Sequence, residues 1–269
     1  MENPKEEVND KLNNIMESFE KYKENLMTVA DNKLLNIKKS KEFKETMIRD
    51  IFSPKESSED KKDFLPHDIF FSFLFSGFDE IILTFERLQD LETYISHFPK
   101  TKTSNKKINY LCFLIENHLN EIYILKERLV AYYKKIKNYY KGDSRETLVE
   151  NKCKQLIDAI ENTFKNIKYY RHSHIHRFRY SDKEIKRLET LSIHEEILRK
   201  AKNILPSFMI PNFNTEYRKV RNEWKNIFKK NNKSIKTVLN NSFKEINVII
   251  FPKDGEISYP KKQGFIKQC

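Results

Sequence analysis

A cluster of three histidines directly behind an arginine is the most distinctive polar feature of the chain. Three of the seven histidines fall within five residues, at His172, His174 and His176, and Arg171 comes immediately before them. A neutral imidazole can take up or release a proton near pH 7, and a guanidinium matches the oxygens of a phosphate group. These residue types in this pattern therefore indicate acid–base chemistry at a phosphate.

The residues around this cluster are basic and aromatic. No Asp or Glu occurs from Asn162 to Tyr180. Uncompensated positive charge attracts a phosphate backbone, and Tyr170 can stack on a base, although packing in a core is the commoner role of such a ring. The basic side chains that we expect to contact RNA are Lys165, Lys168, Arg177 and Arg179.

Cleavage of RNA by its own 2′-hydroxyl is the reaction that suits arginine and histidine without a metal or a cofactor. An imidazole would remove the proton of the 2′-hydroxyl, and the Arg171 guanidinium would stabilise the charge that builds on the non-bridging phosphate oxygens. The products would be a 2′,3′-cyclic phosphate and a 5′-hydroxyl. The pattern therefore predicts an endoribonuclease.

The same residues resemble a known family. Arg171-His172-x-x-x-His176 matches the R-x(4–6)-H motif of the HEPN superfamily, named for a nucleotide-binding domain of higher eukaryotes and prokaryotes. His172 stands where that family often carries a polar residue after the arginine. Residues 119–128, LNEIYILKER, also resemble the first core helix of a bacterial subgroup, and the whole resemblance covers residues 66–205.

This resemblance implies a fold, an activity and partners. The fold is an all-α bundle built on a long antiparallel helix pair, with the motif after one of the core helices. The activity is that of a metal-independent endoribonuclease, working as a homodimer in a toxin–antitoxin or phage-defence system, with an antitoxin or regulatory protein as a further partner. Carried over to this chain, Arg171 and His176 form the catalytic pair and His172 takes the polar position. His174 is additional to the family pattern and could share the role of base.

Other interpretations stay open at the level of sequence. His172 and His176 stand four residues apart and could share a metal ion on a helix, but the nearest acid after the cluster is Asp182, and zinc needs three or four ligands. A non-catalytic HEPN-like module that binds nucleic acid, a nucleotide or a protein partner fits the composition equally well. His118, on the inner face of a predicted helix, fits a core position better than a site.

Composition excludes several classes of function. The four glycines, at 77, 142, 255 and 264, have neither the spacing of a phosphate-binding loop nor that of a dinucleotide-binding motif. The three cysteines, at 112, 153 and 269, form neither a disulfide framework nor a Cys-x-x-Cys metal site, which favours a reducing, cytoplasmic compartment. No apolar run reaches the length of about 20 residues that a membrane helix needs. The net charge of +12 favours a polyanionic partner.

Helical periodicity supplies the elements that must position the cluster. Apolar residues alternate at spacings of three and four, which predicts amphipathic helices. A first seam runs from Val8 through Phe19, Tyr22 and Leu26 to Val29, and a second helical stretch is expected over Leu34–Phe52. The next two stripes are Phe70, Leu74, Phe78, Ile81, Phe85, Leu88 and Ile95, and then Leu111, Ile115, His118, Ile122, Leu125, Leu129, Tyr132 and Ile136.

The segment that leads into the cluster is predicted to be the second arm of a helix hairpin. A helix over Lys107–Tyr140 would be joined by a short turn at Gly142 to a helix over Asp143–Tyr170. The inner face of that second helix is expected to carry Val149, Cys153, Leu156, Ile160, Phe164 and Ile167. Ser181-Asp182 is expected to cap a further helix.

The C-terminal part is predicted to be less regular. Two shorter helices are expected near Thr215–Lys229 and Ser234–Ile246, followed by a small β-hairpin of VIIF, PKDG and ISY. We therefore predict an all-α fold with a C-terminal β-hairpin. It would be arranged as a helical extension (residues 1–60), a HEPN-like core (66–205) and a C-terminal region (206–269).

Overall fold

Six helices account for almost all of the residues that the computed structural model describes, which are 16–39, 65–97, 103–165, 180–200 and 212–261. No β-strand occurs among these residues, so the predicted all-α class is confirmed. None of the described helices combines the length and the apolar content that crossing a membrane requires. The helices are α1 (Glu17–Lys39), α2 (Pro66–Tyr94), α3 (Ser104–Tyr139), α4 (Glu146–Thr163), α5 (Lys183–Lys200) and α6 (Phe213–Ile250).

Local signals explain where several helices begin. α2 starts at Pro66, whose fixed φ suits the first helical position and whose missing N–H is not needed there. At α5 the Asp182 carboxylate accepts a hydrogen bond from the backbone N–H of Ile185 at 2.7 Å, as the predicted cap requires. At α6 the Asn212 side chain accepts from the backbone N–H of Asn214 at 3.0 Å.

The apolar stripes of α1, α2 and α3 lie inward as predicted. The described part of the first seam, from Phe19 to Val29, is buried. Every residue of the stripes from Phe70 to Ile95 and from Leu111 to Ile136 is also buried, including His118. A period of 3.6 residues places positions three and four apart on one face of a helix, which is why the sequence was sufficient here.

The chain divides into two compact units. Unit 1 contains the described residues of Met1–Asp79, Tyr132–Leu156 and Lys236–Cys269, and unit 2 those of Glu80–Ala131 and Ile157–Ile235. The predicted division of the chain into residues 1–60, 66–205 and 206–269 stays a prediction.

The core of unit 1 is rich in aromatic rings. Phe19 and Tyr22 of α1 meet Phe78 of α2 and Phe243 of α6, with ring centroids between 4.9 and 5.2 Å apart. All five pairs are tilted or edge-to-face, the arrangements that the ring quadrupole favours. Three helices are therefore joined by side chains far apart in the sequence.

The core of unit 2 is mainly aliphatic. It contains buried residues of α2, α3, α5 and α6, with Trp224 packed against it. Representative members, one or more from each of these helices, are Leu91, Leu111, Ile115, Ile185, Leu188, Val220 and Phe228.

Three sequence expectations about the elements were wrong. Leu34 belongs to α1 and does not begin a second helix, and residues 40–52 of the predicted stretch lie outside the described residues. The two short helices expected over 215–246 form the single helix α6. The helix continues through residues 230–233, where the break was predicted, because the buried Asn232 side chain donates to Leu88 O at 3.1 Å and to Glu92 Oε2 at 2.8 Å. Its hydrogen bonds go to α2 instead of breaking the helix locally.

The C-terminal β-hairpin is also absent from the described residues. Val248, Ile249 and Ile250 form the last turn of α6, because Ile246 and Ile250 continue the buried stripe at a spacing of four. The turn that follows has one isolated antiparallel bridge between Lys253 and Glu256, and Gly255 has a φ of +71°. A short apolar run fits a helix end as well as a strand, and the helical period decided here.

Candidate functional site

Most of the predicted site lies outside the described residues. Arg171, His172, His174 and His176 are in this group. The same holds for four predicted RNA-binding residues: Lys168, Tyr170, Arg177 and Arg179. Lys165 is described, and its side chain is exposed at the end of the α4 segment. The structure therefore defines the residues that lead into and out of residues 166–179.

On the N-terminal side, residues 166–179 are preceded by α4 and the turn after it. The helix ends at Thr163, and Phe164 N–H still donates to Ile160 O at 3.0 Å. The predicted inner face is buried at Val149, Cys153, Leu156, Ile160 and Phe164, whereas Ile167 lies outside the described residues. Phe164, immediately before Lys165, is buried and belongs to unit 2.

On the C-terminal side, residues 166–179 are followed by Tyr180, which makes three contacts within unit 2. Its backbone N–H donates to Glu116 Oε1 of α3 at 2.7 Å, and its hydroxyl donates to Asp182 Oδ2 at 2.9 Å. Its ring meets Trp224 of α6 edge-to-face, with centroids 5.3 Å apart. The same Asp182 carboxylate caps α5, so one residue links the tyrosine to the start of the next helix.

The tyrosine begins an aromatic row that runs into the core of unit 2. Trp224 meets Phe228, one helical turn further along α6, at 6.3 Å between ring centroids. Phe228 stacks on His118 of α3 at 3.7 Å and an interplanar angle of 9°. Trp224 and His118 are thus packing residues, in agreement with the interpretation that the sequence favoured for His118.

The environment of His118 determines its charge. The side chain is fully buried, and Asn231 Nδ2 lies 3.4 Å from Nε2. Nδ1 has no hydrogen-bond partner among the described residues. Burial lowers the pKa of His118 to about 3, so the imidazole is neutral at pH 7. A neutral, buried imidazole of this kind contributes to the packing of the core.

A second polar network lies in unit 1, at the turn between α3 and α4. The buried Asp143 carboxylate accepts hydrogen bonds from the Arg145 side chain and from the backbone N–H of Lys261 at 2.6 Å. Burial alone would raise the pKa of Asp143, but these hydrogen bonds outweigh it and lower the pKa to about 2. Arg145 also donates to Ser258 and to Tyr259 O. The network fastens the C-terminal segment to the turn between α3 and α4.

One small cavity borders this C-terminal segment. It has a volume of about 10 Å³, the size of one water molecule, and is lined by Pro66, His67, Phe70, Tyr259 and Pro260. The ring of His67 meets that of Tyr259 edge-to-face at 4.6 Å. A space of this size does not accommodate a nucleotide.

Sequence reasoning missed two features of unit 2. The first is Glu116 of α3, which accepts the backbone hydrogen bond of Tyr180. Its partner is 64 positions away, so no local signal reveals the contact. The second feature is the concentration of basic residues on α6, for which the signal was present as an uneven distribution of Lys and Arg.

Metal binding and similarity to known proteins complete the description of the site. Within the described residues, no group of three or more His, Cys, Asp and Glu side chains could hold a metal ion. The alternative of a metal ion shared by His172 and His176 concerns residues outside that set.

Comparison of the chain with protein-family models, with curated proteins and with solved structures gave no significant match.

Proposed function

We propose that the protein is a metal-independent endoribonuclease of the HEPN type. His176 acts as the base that removes the 2′-hydroxyl proton, and Arg171 stabilises the negative charge on the phosphate oxygens. His172 supports the arginine, and His174 shares in proton transfer. The motif Arg171-His172-x-x-x-His176 is the observation that carries this proposal. We further propose a role in a toxin–antitoxin or phage-defence system.

The order of the elements supports the proposal. We take α3 and α4 to be the antiparallel pair of the HEPN core. They are joined by the short connection of residues 140–145, and Lys137 Nζ of α3 lies 3.1 Å from Glu150 Oε1 of α4. The motif follows the second arm of this pair in the chain and begins eight positions after Thr163, and in the family it likewise follows a core helix.

The anchors on both sides of residues 166–179 give further support. Phe164 and Tyr180, the described residues closest to the two sides of this segment that are buried, both belong to unit 2. His176 stands four positions before Tyr180, whose backbone and hydroxyl are both hydrogen-bonded. An active site needs side chains held in place, and fixed ends limit the conformations open to a short segment between them.

Cleavage by variants of the motif tests the proposal directly. We expect Arg171→Ala and His176→Ala each to lower the rate of RNA cleavage by about 100-fold or more, the loss typical of removing a charge-stabilising group or a general base. Wild-type activity should persist in EDTA, and the products should carry 2′,3′-cyclic phosphate and 5′-hydroxyl ends. His194→Ala, which changes an exposed histidine of α5, is the matched control and should cut like wild type.

Two results would contradict the proposal. Equal cleavage by wild type, Arg171→Ala and His176→Ala would exclude residues 171–176 as the active site. Stoichiometric zinc in tag-free protein, lost in His172→Ala, would favour the metal-binding alternative. Separate His172→Ala and His174→Ala variants would show whether either histidine shares the role of base.

A non-catalytic RNA-binding protein is the second candidate. The exposed lysines of α6 favour it, because positive charge on a helix surface serves binding without requiring cleavage. Binding of RNA with no cleavage by wild type, unchanged in Arg171→Ala and His176→Ala, would select this candidate.

A further inference from the structure

The first part of α6 is rich in basic residues. Residues 213–236 contain eight Lys or Arg and only two Glu, at 216 and 223. One of these acids is already engaged, because Glu216 Oε2 lies 2.7 Å from Arg187 NH2 of α5. This stretch therefore presents a strong excess of positive charge.

Five of these cations form what we call the basic face of α6, which consists of Arg218, Lys219, Lys225, Lys229 and Lys230. All five side chains are exposed. None of them makes an ion pair with another residue of the described ranges, although salt bridges are common elsewhere on the described helices. The positive charge on this face is therefore not neutralised by the described part of the chain.

Helix geometry arranges these residues in a continuous band. At about 100° per residue, Arg218, Lys225 and Lys229 lie within about 40° of one another around the helix axis. Lys219 and Lys230 form a second row on the other side of the exposed Asn222 and Asn226. At a rise of about 1.5 Å per residue, the band from Arg218 to Lys230 is about 18 Å long.

The buried side of α6 leaves this band facing away from the core. Phe213, Tyr217, Val220 and Phe228 pack into unit 2, and none of the five cations lies among them. Like charges one turn apart, such as Lys225 and Lys229, repel each other and disfavour the helix. A bound polyanion would remove this repulsion and release its own counterions.

We propose that the basic face of α6 binds the phosphate backbone of RNA. The identification of the polyanion as RNA rests on the proposed ribonuclease function. The length of the band exceeds what one phosphate group can contact, so it fits a polymer with charges at regular intervals. The exposed Asn222 and Asn226 between the cations can donate hydrogen bonds to phosphate or sugar oxygens.

The composition of the face favours RNA over a membrane surface. A helix that lies on a membrane needs a large apolar surface beside its cations. On the described part of α6 within unit 2, the only large apolar side chain classed as exposed is Ile227, which is 41% exposed. Binding to an anionic membrane is therefore an outcome to be tested.

The test compares two full-length variants that lose the same number of charges. The first is Arg218→Gln/Lys225→Gln/Lys229→Gln, on the basic face. The control is Lys134→Gln/Lys154→Gln/Lys244→Gln, in which the three lysines are exposed, lie in unit 1 and make no ion pair with described residues. The probe is a 20-nucleotide RNA whose 2′-hydroxyls are replaced by fluorine, so that 2′-hydroxyl attack is impossible.

The expected result is a change in both the affinity and its salt dependence. Each phosphate contact with a single strand contributes about 0.7 to the slope of log K against log salt, so the basic-face variant should lose about 2 from that slope. Its Kd at 100 mM salt should rise by about 30-fold, whereas the control variant should stay within about threefold of wild type. With cleavable RNA the variant should raise KM and leave kcat unchanged.

Different failures separate this inference from the proposed function. If the basic-face variant keeps the wild-type Kd and salt slope while wild type still cuts RNA, the inference is wrong and the nuclease stands. If wild type binds phosphatidylserine vesicles through this face and does not bind the RNA probe, the inference is also wrong. If the basic-face variant loses RNA binding but Arg171→Ala and His176→Ala cut like wild type, the inference stands and the assigned active site falls.

Discussion

The imidazole of His118 illustrates how the surroundings of one residue set its chemistry. Its ring stacks on that of Phe228, and Asn231 lies beside Nε2. The other described histidines, His67, His97 and His194, are exposed. A histidine with these contacts contributes packing instead of proton transfer at neutral pH. It also makes the stability of the protein depend on pH.

Replacing His118 by Phe should remove a specific part of that pH dependence. The pKa of His118 is lowered from its ordinary value of 6.5 to about 3, so below pH 6.5 the unfolded chain takes up a proton that the folded chain does not. The contribution of His118 to the free energy of unfolding is therefore at its full value above pH 6.5 and falls by about 1.4 kcal/mol per pH unit towards pH 3. His118→Phe should lack this loss, and urea unfolding at pH 7.5, 6.0 and 5.0 measures it.

The exposed His194 supplies the control for this experiment. In His194→Phe the free energy of unfolding should depend on pH as it does in wild type, because that side chain does not have to be desolvated on folding. Parallel stability profiles for wild type and His118→Phe between pH 7.5 and 5.0 would show that the buried imidazole does not cause the loss.

At the scale of the element, the glycine within α2 marks a close contact between α2 and α3 in unit 1. A Cβ added at Gly77 would lie 2.7 Å from Tyr132 Cδ2 and 2.9 Å from Cε2 of α3. The Tyr132 ring cannot readily move away, because its hydroxyl shares a 2.7 Å hydrogen bond with that of Tyr22 and lies 3.1 Å from Leu74 O. Helix propensity alone would treat this glycine as a local weakness, whereas the packing requires it.

Gly77→Ala should therefore destabilise the protein despite the better helix propensity of alanine. The gain in propensity is about 1 kcal/mol, and the overpacking should exceed it and leave a net loss of about 1–2 kcal/mol in the free energy of unfolding. Ser76→Ala, at the exposed neighbouring position, is the control and should be neutral or slightly stabilising. Thermal or urea unfolding would contradict the expectation if Gly77→Ala were as stable as wild type.

At the scale of the whole molecule, one arginine and one histidine make a sparse active site for the proposed chemistry. A second copy of the chain would double the positive field and could divide the acid and base roles between the two sites. The basic face of α6 would be present twice in such an assembly, which would extend the surface available to one RNA molecule.

We therefore expect the active species to be a dimer with twofold symmetry. Light scattering coupled to gel filtration should give twice the 32.5 kDa of the chain. Mixing Arg171→Ala and His176→Ala protomers should restore part of the activity if the two roles are divided between chains. A strict monomer that cuts RNA at the wild-type rate would exclude the dimer and leave the nuclease intact.

The sequence by itself determined the helical class, the inner faces of α1 to α4 and the cap of α5. These features depend on residues within a few positions of one another, such as the stripe from Leu111 to Ile136 and the hydrogen bond from Ile185 to Asp182. A repeat of 3.6 residues or a capping side chain is complete within one or two turns, so no distant partner is needed to interpret it.

Only the tertiary structure decided the features whose partners are distant in the chain. α6 is continuous because Asn232 finds hydrogen bonds on α2, and the end of α6 is helical because Ile250 continues a buried stripe. The anchoring of Tyr180 by Glu116 likewise depends on a contact across 64 positions. Short polar or apolar runs are compatible with several local conformations, and the hydrogen bonds and buried surface supplied by other helices select one of them.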